Sequence, residues 1–154
     1  MVRVGVALVP EVMIVSGIDI KQSQVDLIDE FRLFDNWLDR YEYLIDLGRK
    51  LPDFPTEWKT EEYKLHGCQS QVWLKALDTG GQLEFRAISD SAIVSGLIAV
   101  LMRVYSDRTP QEIIDTQPDF IDAIGLHEHL SPTRSNGLHA MINAIRRHAV
   151  RCAG

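Results

Sequence analysis

The sequence predicts an α+β domain in which helices are followed by a β-hairpin and then by more helices. Three observations carry that prediction. Apolar residues recur at three-four spacing from Leu27 to Ile45, alternate from Val72 to Ile88 around a Gly-Gly turn, and form a continuous helical run from Ala92 to Tyr105. The expected architecture is a small antiparallel sheet of about three strands. Helices cover one of its faces, and the other is partly exposed near Trp73. The 154 residues suit one domain with a core large enough to stand without staples. Hydrophobic residues at 45% and charged residues at 25% place the chain among soluble globular proteins.

Residues 1–21 differ from the rest. The stretch VGVALVPEVMIVSGIDI is apolar and β-branched, but Pro10 and Glu11 interrupt it. It is too broken for a membrane span, and Arg3 makes a thin flank for a secretory signal. It is read as an N-terminal extension of uncertain order, with residues 22–154 as the single folded domain.

The elements then follow in order. Ser23 and Asp26 resemble a capping box at the head of an amphipathic helix. Leu27, Ile28, Phe31, Phe34, Leu38, Tyr41, Leu44 and Ile45 form its apolar stripe. Asp35 and Asn36 sit mid-stripe and leave two readings open, one long helix or two meeting at a corner. Gly48, Arg49, Lys50 and Pro52 mark a helix end, and residues 51–62 form a loop. Val72, Leu74 and Ala76 alternate with Trp73, Lys75 and Leu77. Asp78-Thr79-Gly80-Gly81 is a turn, and Leu83, Phe85 and Ala87 alternate with Glu84, Arg86 and Ile88. Residues 62–66 are expected to add a short third strand. Ser89-Asp90-Ser91 offers caps for the helix from Ala92 to about Tyr105, which is apolar on most faces and predicted to be the central buried helix. Gly96 within it is read as allowing close packing. Thr109 and Pro110 start a short helix through Ile114, and a second spans about Pro118–Ile124 to Gly125. Ser131-Pro132-Thr133-Arg134 leads into a last helix that buries Leu138, Met141, Ile142, Ile145 and Val150.

Charge narrows the function classes. The formal net charge is −6, the wrong sign for a protein that grips nucleic-acid phosphates. From Asp26 to Glu62 there are eleven acids against five bases, while Arg134–Arg151 holds four arginines and no acid. This reads as solvated helix faces and a basic last helix suited to its own dipole. The two cysteines, Cys68 and Cys152, stand 84 residues apart. They exclude a disulfide framework and a four-thiolate metal site, and they fit a reducing compartment. No glycine-rich phosphate loop and no GxSxG elbow occurs in the sequence. His127-Glu128-His129 is read as a solvated polar segment, because adjacent side chains on a helix face apart.

Cys68 stands out in the run Leu65-His66-Gly67-Cys68-Gln69-Ser70-Gln71-Val72-Trp73. A lone cysteine is commonly a small buried hydrophobe. Here Gly67 frees the backbone, Gln69, Ser70 and Gln71 make the flank polar, and His66 and Lys64 are neighbours that would favour a thiolate. The residues alone leave both readings open.

The run GCQSQVW resembles the signature of the SufE family of cysteine desulfuration proteins. Three further blocks agree with that family: Leu47-Gly48 with Leu51-Pro52; Ser89 through Val94 with Gly96 through Val100; and Leu130 through Ser135 with Gly137-Leu138, Met141-Ile142 and Ala144 through Arg146. The similarity runs from about residue 25 to 150. It implies an α+β fold like that of IscU-type scaffolds and a defined task. A SufE-like protein accepts sulfane sulfur from a pyridoxal-phosphate cysteine desulfurase (SufS-like), holds it as a persulfide, and passes it to iron–sulfur scaffold proteins. The position matching the carrier is Cys68. His66, Gly67, Gln69, Ser70, Asp90 and Arg134 are expected to form its loop or a docking face, with helix capping as the structural alternative for Asp90 and pairing with Asp90 or the loop backbone for Arg134. No resident cofactor or metal is expected, nor a nucleic-acid or membrane partner. The chain is expected to be cytoplasmic, a monomer or a weak homodimer, and a relay rather than a hydrolytic enzyme. The competing readings are an adaptor that activates a desulfurase without carrying sulfur, an iron–sulfur scaffold, and a sulfur acceptor for another pathway. Trp73 is expected to pack on the sheet, and Cys152 to be an exposed bystander.

Overall fold

Asp19 opens the first helix, its carboxylate accepting the Gln22 amide at 2.8 Å, and α1 runs over Ile20–Phe31. The start lies ahead of the expected Ser23 cap. Ser23 is buried inside the helix, where its hydroxyl accepts from Arg108, while Asp19 has the extended backbone that a cap requires. The computed structural model describes residues 19–153. Residues 1–18, which hold most of the expected extension, lie outside them, as does Gly154.

The chain turns a corner at Asp35-Asn36, so the apolar stripe is two helices. Asn36 accepts the Asp39 amide at 2.9 Å and caps α2, Trp37–Arg49. Helix α2 ends where Gly48-Arg49-Lys50 predicts, with Lys50 as its cap, and Gly48 itself lies in the last turn. Its reason is contact: a Cβ there would stand 2.6 Å from the Gly96 nitrogen, and a Cβ on Gly96 would stand 2.3 Å from the Leu44 carbonyl oxygen. Two glycines therefore let two helix backbones touch.

A 3₁₀ turn at Thr56–Trp58 interrupts the following loop. Strands β1, Val72–Thr79, and β2, Gln82–Ser89, pair antiparallel with Thr79 opposite Gln82 and Val72 opposite Ser89. Gly80 and Gly81 take φ of 63° and 88°, the left-handed pair that a two-residue hairpin needs. Val72, Leu74, Leu83, Phe85 and Ala87 are buried as the alternation predicted. The expected third strand contracts to one bridge, Lys64 to Trp73, so the sheet has two strands. The reason is local: Tyr63 and Lys64 give their amides to Thr60 and Glu61 in a turn. The chain then leaves the sheet at Gly67, where φ is 97°. Both sheet edges are still partly covered. Tyr63 and Leu65 bond β1, while Ser106, Asp107 and Arg108 bond Leu83 and Phe85 of β2, which shortens the open edge available for pairing. Trp73 is half-buried on the other face, with the Lys59 ammonium 5.9 Å from its ring.

Ser91 caps α3, Ala92–Tyr105, the expected central helix, with Leu97, Ile98, Leu101, Val104 and Tyr105 fully enclosed. Thr109 and Glu112 form a complete capping box on α4, Pro110–Asp115. Next come α5, Phe120–Ile124, which ends at left-handed Gly125, and the single turn α6, Leu126–His129. Helix α7, Pro132–Ala153, closes the domain. Val150 is 57% exposed rather than buried, and Ala149 takes the inward position. Helix α3 packs between α2 and the hairpin, with α1 and α7 also against it. Arg146 of α7 bonds the Ile114 and Thr116 carbonyls at 3.0 Å each and so covers the open end of α4.

Candidate functional site

Cys68 lies between the Gly67 turn and β1, on a loop laid against α7. The left-handed Gly67 turns the chain so that the next side chain points inward. A Cβ on Gly67 would lie 3.5 Å from the Ala140 methyl. Asp90 fastens the far end of the loop. Its carboxylate accepts the Gln71 amide at 3.1 Å, and its own amide donates to the Gln71 carbonyl. The expected capping role of Asp90 passes to Ser91, whose hydroxyl accepts the Val94 amide.

The Cys68 thiol is half-buried and donates to the Gly137 carbonyl, with Sγ 3.7 Å from the oxygen. It borders a cavity of about 80 Å³. Val94 and Leu97 of α3 and Leu138 and Met141 of α7 form the apolar walls, while Gln69, Ser70, Thr133 and Arg134 form the polar rim. Burial pushes the thiol pKa up from its ordinary value, because a thiolate loses its hydration there. The structure therefore opposes the expectation that cationic neighbours favour the thiolate. The His66 ring turns outward to Glu61, 3.8 Å away, and both side chains are exposed.

Arg134 stands on the first turn of α7 at the rim and donates to the Tyr41 hydroxyl at 3.4 Å. That contact replaces the expected pairing with Asp90 or the loop backbone. Cys68, Gln69, Ser70 and Arg134 thus share one cavity, Asp90 anchors it, and His66 lies outside. The walls were not among the expected site residues, although Val94, Leu97, Gly137, Leu138 and Met141 stand in the motif blocks. Their shared three-four apolar periodicity made them look like ordinary core.

The histidines go elsewhere. His127 bonds Asp122 at 2.8 Å and His139 at 3.1 Å, and His129 stacks on Trp37 with centroids 4.8 Å apart. Among the described residues no group of three or more histidine, cysteine or acidic side chains is placed to hold a metal ion. Cys152 is exposed on the last turn of α7. No helix among the described residues is long and apolar enough to cross a membrane.

Residues 25–149 match the family model described as SufE, Fe-S metabolism associated domain. The chain belongs to the SufE family. An uncharacterized SufE-like protein of Rhizobium meliloti (strain 1021) is 44% identical over 130 residues, covering 80% of this chain and 91% of that protein. The solution structure of a hypothetical protein from Thermus thermophilus superposes with a TM-score of 0.70 at 20% identity, covering 85% of this chain and 96% of that one. At that identity the likeness concerns the fold alone, which is an α+β one. The matched region includes every residue of the Cys68 cavity.

Proposed function

We propose that this protein accepts sulfane sulfur on Cys68 from a pyridoxal-phosphate cysteine desulfurase and delivers it for iron–sulfur cluster assembly in the cytoplasm. The observation that carries the reading is the placement of the Cys68 thiol, on a loop turned by Gly67 and set against an apolar cavity between α3 and α7. Family membership supplies the context of Fe–S metabolism.

The exchange balances without an outside redox agent. The Cys68 thiol first gives up its proton, and the thiolate attacks the outer sulfur of the donor's persulfide. A new bond forms to Cys68 Sγ, the donor's own sulfur–sulfur bond breaks, and the donor cysteine leaves as a thiolate that takes up a proton. Burial in the resting loop keeps Cys68 protonated and slow. Swinging the loop out toward a partner hydrates the sulfur, lowers its pKa and makes it a competent acceptor. Swinging back places the sulfur against Val94, Leu97, Leu138 and Met141, away from oxidants. Docking thus gates reactivity.

The test is intact mass after incubation with a desulfurase and cysteine. The wild type is expected to gain increments of about 32 Da, one sulfur each, on Cys68. Cys68→Ser is expected to gain none and to lose stimulation of the desulfurase, whereas Cys152→Ser behaves as wild type. Full stimulation by an unmodified Cys68→Ser protein would replace this reading with that of an adaptor. A stable cluster spectrum after anaerobic reconstitution with iron and sulfide would replace it with that of a scaffold.

A further inference from the structure

We propose that Gly137 is a positioning residue that reserves space for the outer sulfur of a Cys68 persulfide, so that the carrier distinguishes its loaded from its empty state. The inference rests on the sulfur-carrier reading above and adds a residue to it.

Gly137 lies within α7 and is buried. Glycine in a helix interior sacrifices backbone order that alanine would supply. Elsewhere in the domain such a sacrifice has a steric reason, since a Cβ on Gly48 or Gly96 would collide with backbone. At Gly137 no collision exists. An added Cβ would meet Cys68 Sγ at 3.6 Å and Cys68 Cβ at 3.9 Å, ordinary contact distances, and, its adjacent residues and own helix backbone aside, no other atom within 4 Å. Across the helix surface the empty side-chain position therefore faces Cys68. With a plain thiol, alanine fits.

A second sulfur changes that. It bonds Sγ at about 2.05 Å and takes the place of the thiol hydrogen, which is directed at the Gly137 carbonyl oxygen 3.7 Å away. It cannot lie along that line without overlapping the oxygen, so it turns aside. Beside the carbonyl lie the vacant Cβ position of Gly137 and the cavity with Leu97, Leu138 and Met141. A methyl group 3.6 Å from Sγ occupies the volume that a sulfur bonded to Sγ would enter on that side. Gly137→Ala should thus tolerate the thiol and expel the persulfide from its shelter.

The experiment compares wild type and Gly137→Ala after loading with a desulfurase and cysteine. Alkylation by iodoacetamide is followed by intact mass on the empty and the loaded forms. The ratio of loaded to empty alkylation rates is expected to rise about tenfold in Gly137→Ala, because only the outer sulfur is moved into solvent. General loosening of the site would raise both rates and leave the ratio alone. The thermal midpoint of the empty variant is expected to equal or exceed that of the wild type, which a packing role for this glycine would reverse. Should the variant fail to fold, the wild type alone still decides. On loading, the Gly137 amide resonance is expected to be among the most shifted in the ¹⁵N–¹H spectrum. An unchanged ratio, or an unmoved Gly137 resonance on verified loading, overturns the inference and leaves the carrier reading intact. A wild type that never gains sulfur overturns the carrier reading itself.

Discussion

Two helix glycines face two different neighbours. At the seam between α2 and α3, Gly96 presses on the Leu44 carbonyl with no space for a methyl group. At the wall of the Cys68 cavity, Gly137 faces a sulfur across a gap that a methyl group would fill without collision. Both residues lie within helices where glycine is the poorest choice short of proline. The first glycine holds the fold together by letting backbones meet. The second leaves room beside the Cys68 sulfur. Identical residues at similar burial thus serve opposite ends, and only the neighbour distinguishes them.

The largest expected effect is at the seam. Gly96→Ala places a Cβ within 2.3 Å of a backbone oxygen, which neither rotamer change nor side-chain movement relieves. A loss of about 3 kcal/mol is expected, at the upper end of ordinary overpacking. At roughly 2–4 °C per kcal/mol for a domain of this size, differential scanning calorimetry should register a fall of about 10 °C. A midpoint no lower than that of Gly137→Ala would erase the contrast between the two glycines.

A smaller effect is expected on the loop. Gly67 has φ of 97° with its potential Cβ in ordinary contact with Ala140, so alanine there suffers from backbone conformation and not from crowding. The cost is about 1 kcal/mol. The loop relaxes to lower it, so the sharper readout is chemical: Cys68 should alkylate faster in Gly67→Ala than in wild type, with Gly96→Ala compared under conditions where it remains folded. Equal rates in Gly67→Ala and wild type would mean that the turn does not hold the thiol inward.

The smallest effect is in pH dependence. Burial raises the Cys68 pKa in the folded chain, so the unfolded chain loses this proton first as pH rises. The stabilising contribution is fully present below the unfolded thiol value of about 8.5 and is lost as pH climbs through the raised folded value. Chemical denaturation at alkaline pH should show wild type losing stability more steeply than Cys68→Ser. The half-rate pH for Cys68 alkylation should also lie higher in the folded protein than in urea. Coincident half-rate values would show the resting thiol to be hydrated.

How much of this was legible beforehand varies by element. The hairpin followed from an alternation of two and a Gly-Gly turn, both local properties of the chain. The Thr109 cap was equally local, whereas the corner at Asn36 was one of two open readings that the fold decided. The third strand was not legible, because the 62–66 segment has suitable residues and loses its ladder to a turn formed with Thr60 and Glu61. Asp90 looked like a cap because caps are recognised one turn ahead. Its partner, Gln71, lies across the hairpin, nineteen residues back. Arg134 found Tyr41 from a distant helix for the same reason.

The sequence by itself determined the helix–hairpin–helix order and the position of the candidate sulfur-carrying residue. Periodicity, turn chemistry and a short motif are properties of neighbouring residues, and they survive without knowledge of the fold. The tertiary structure decided the environment of that residue. It turned His66 away, set Cys68 against Gly137, raised the thiol pKa by burial and formed the cavity from two helices that α4, α5 and α6 separate in sequence. Desolvation and shape belong to surfaces that meet only when the chain is folded, so a thiol's resting reactivity cannot be read from its neighbours in sequence.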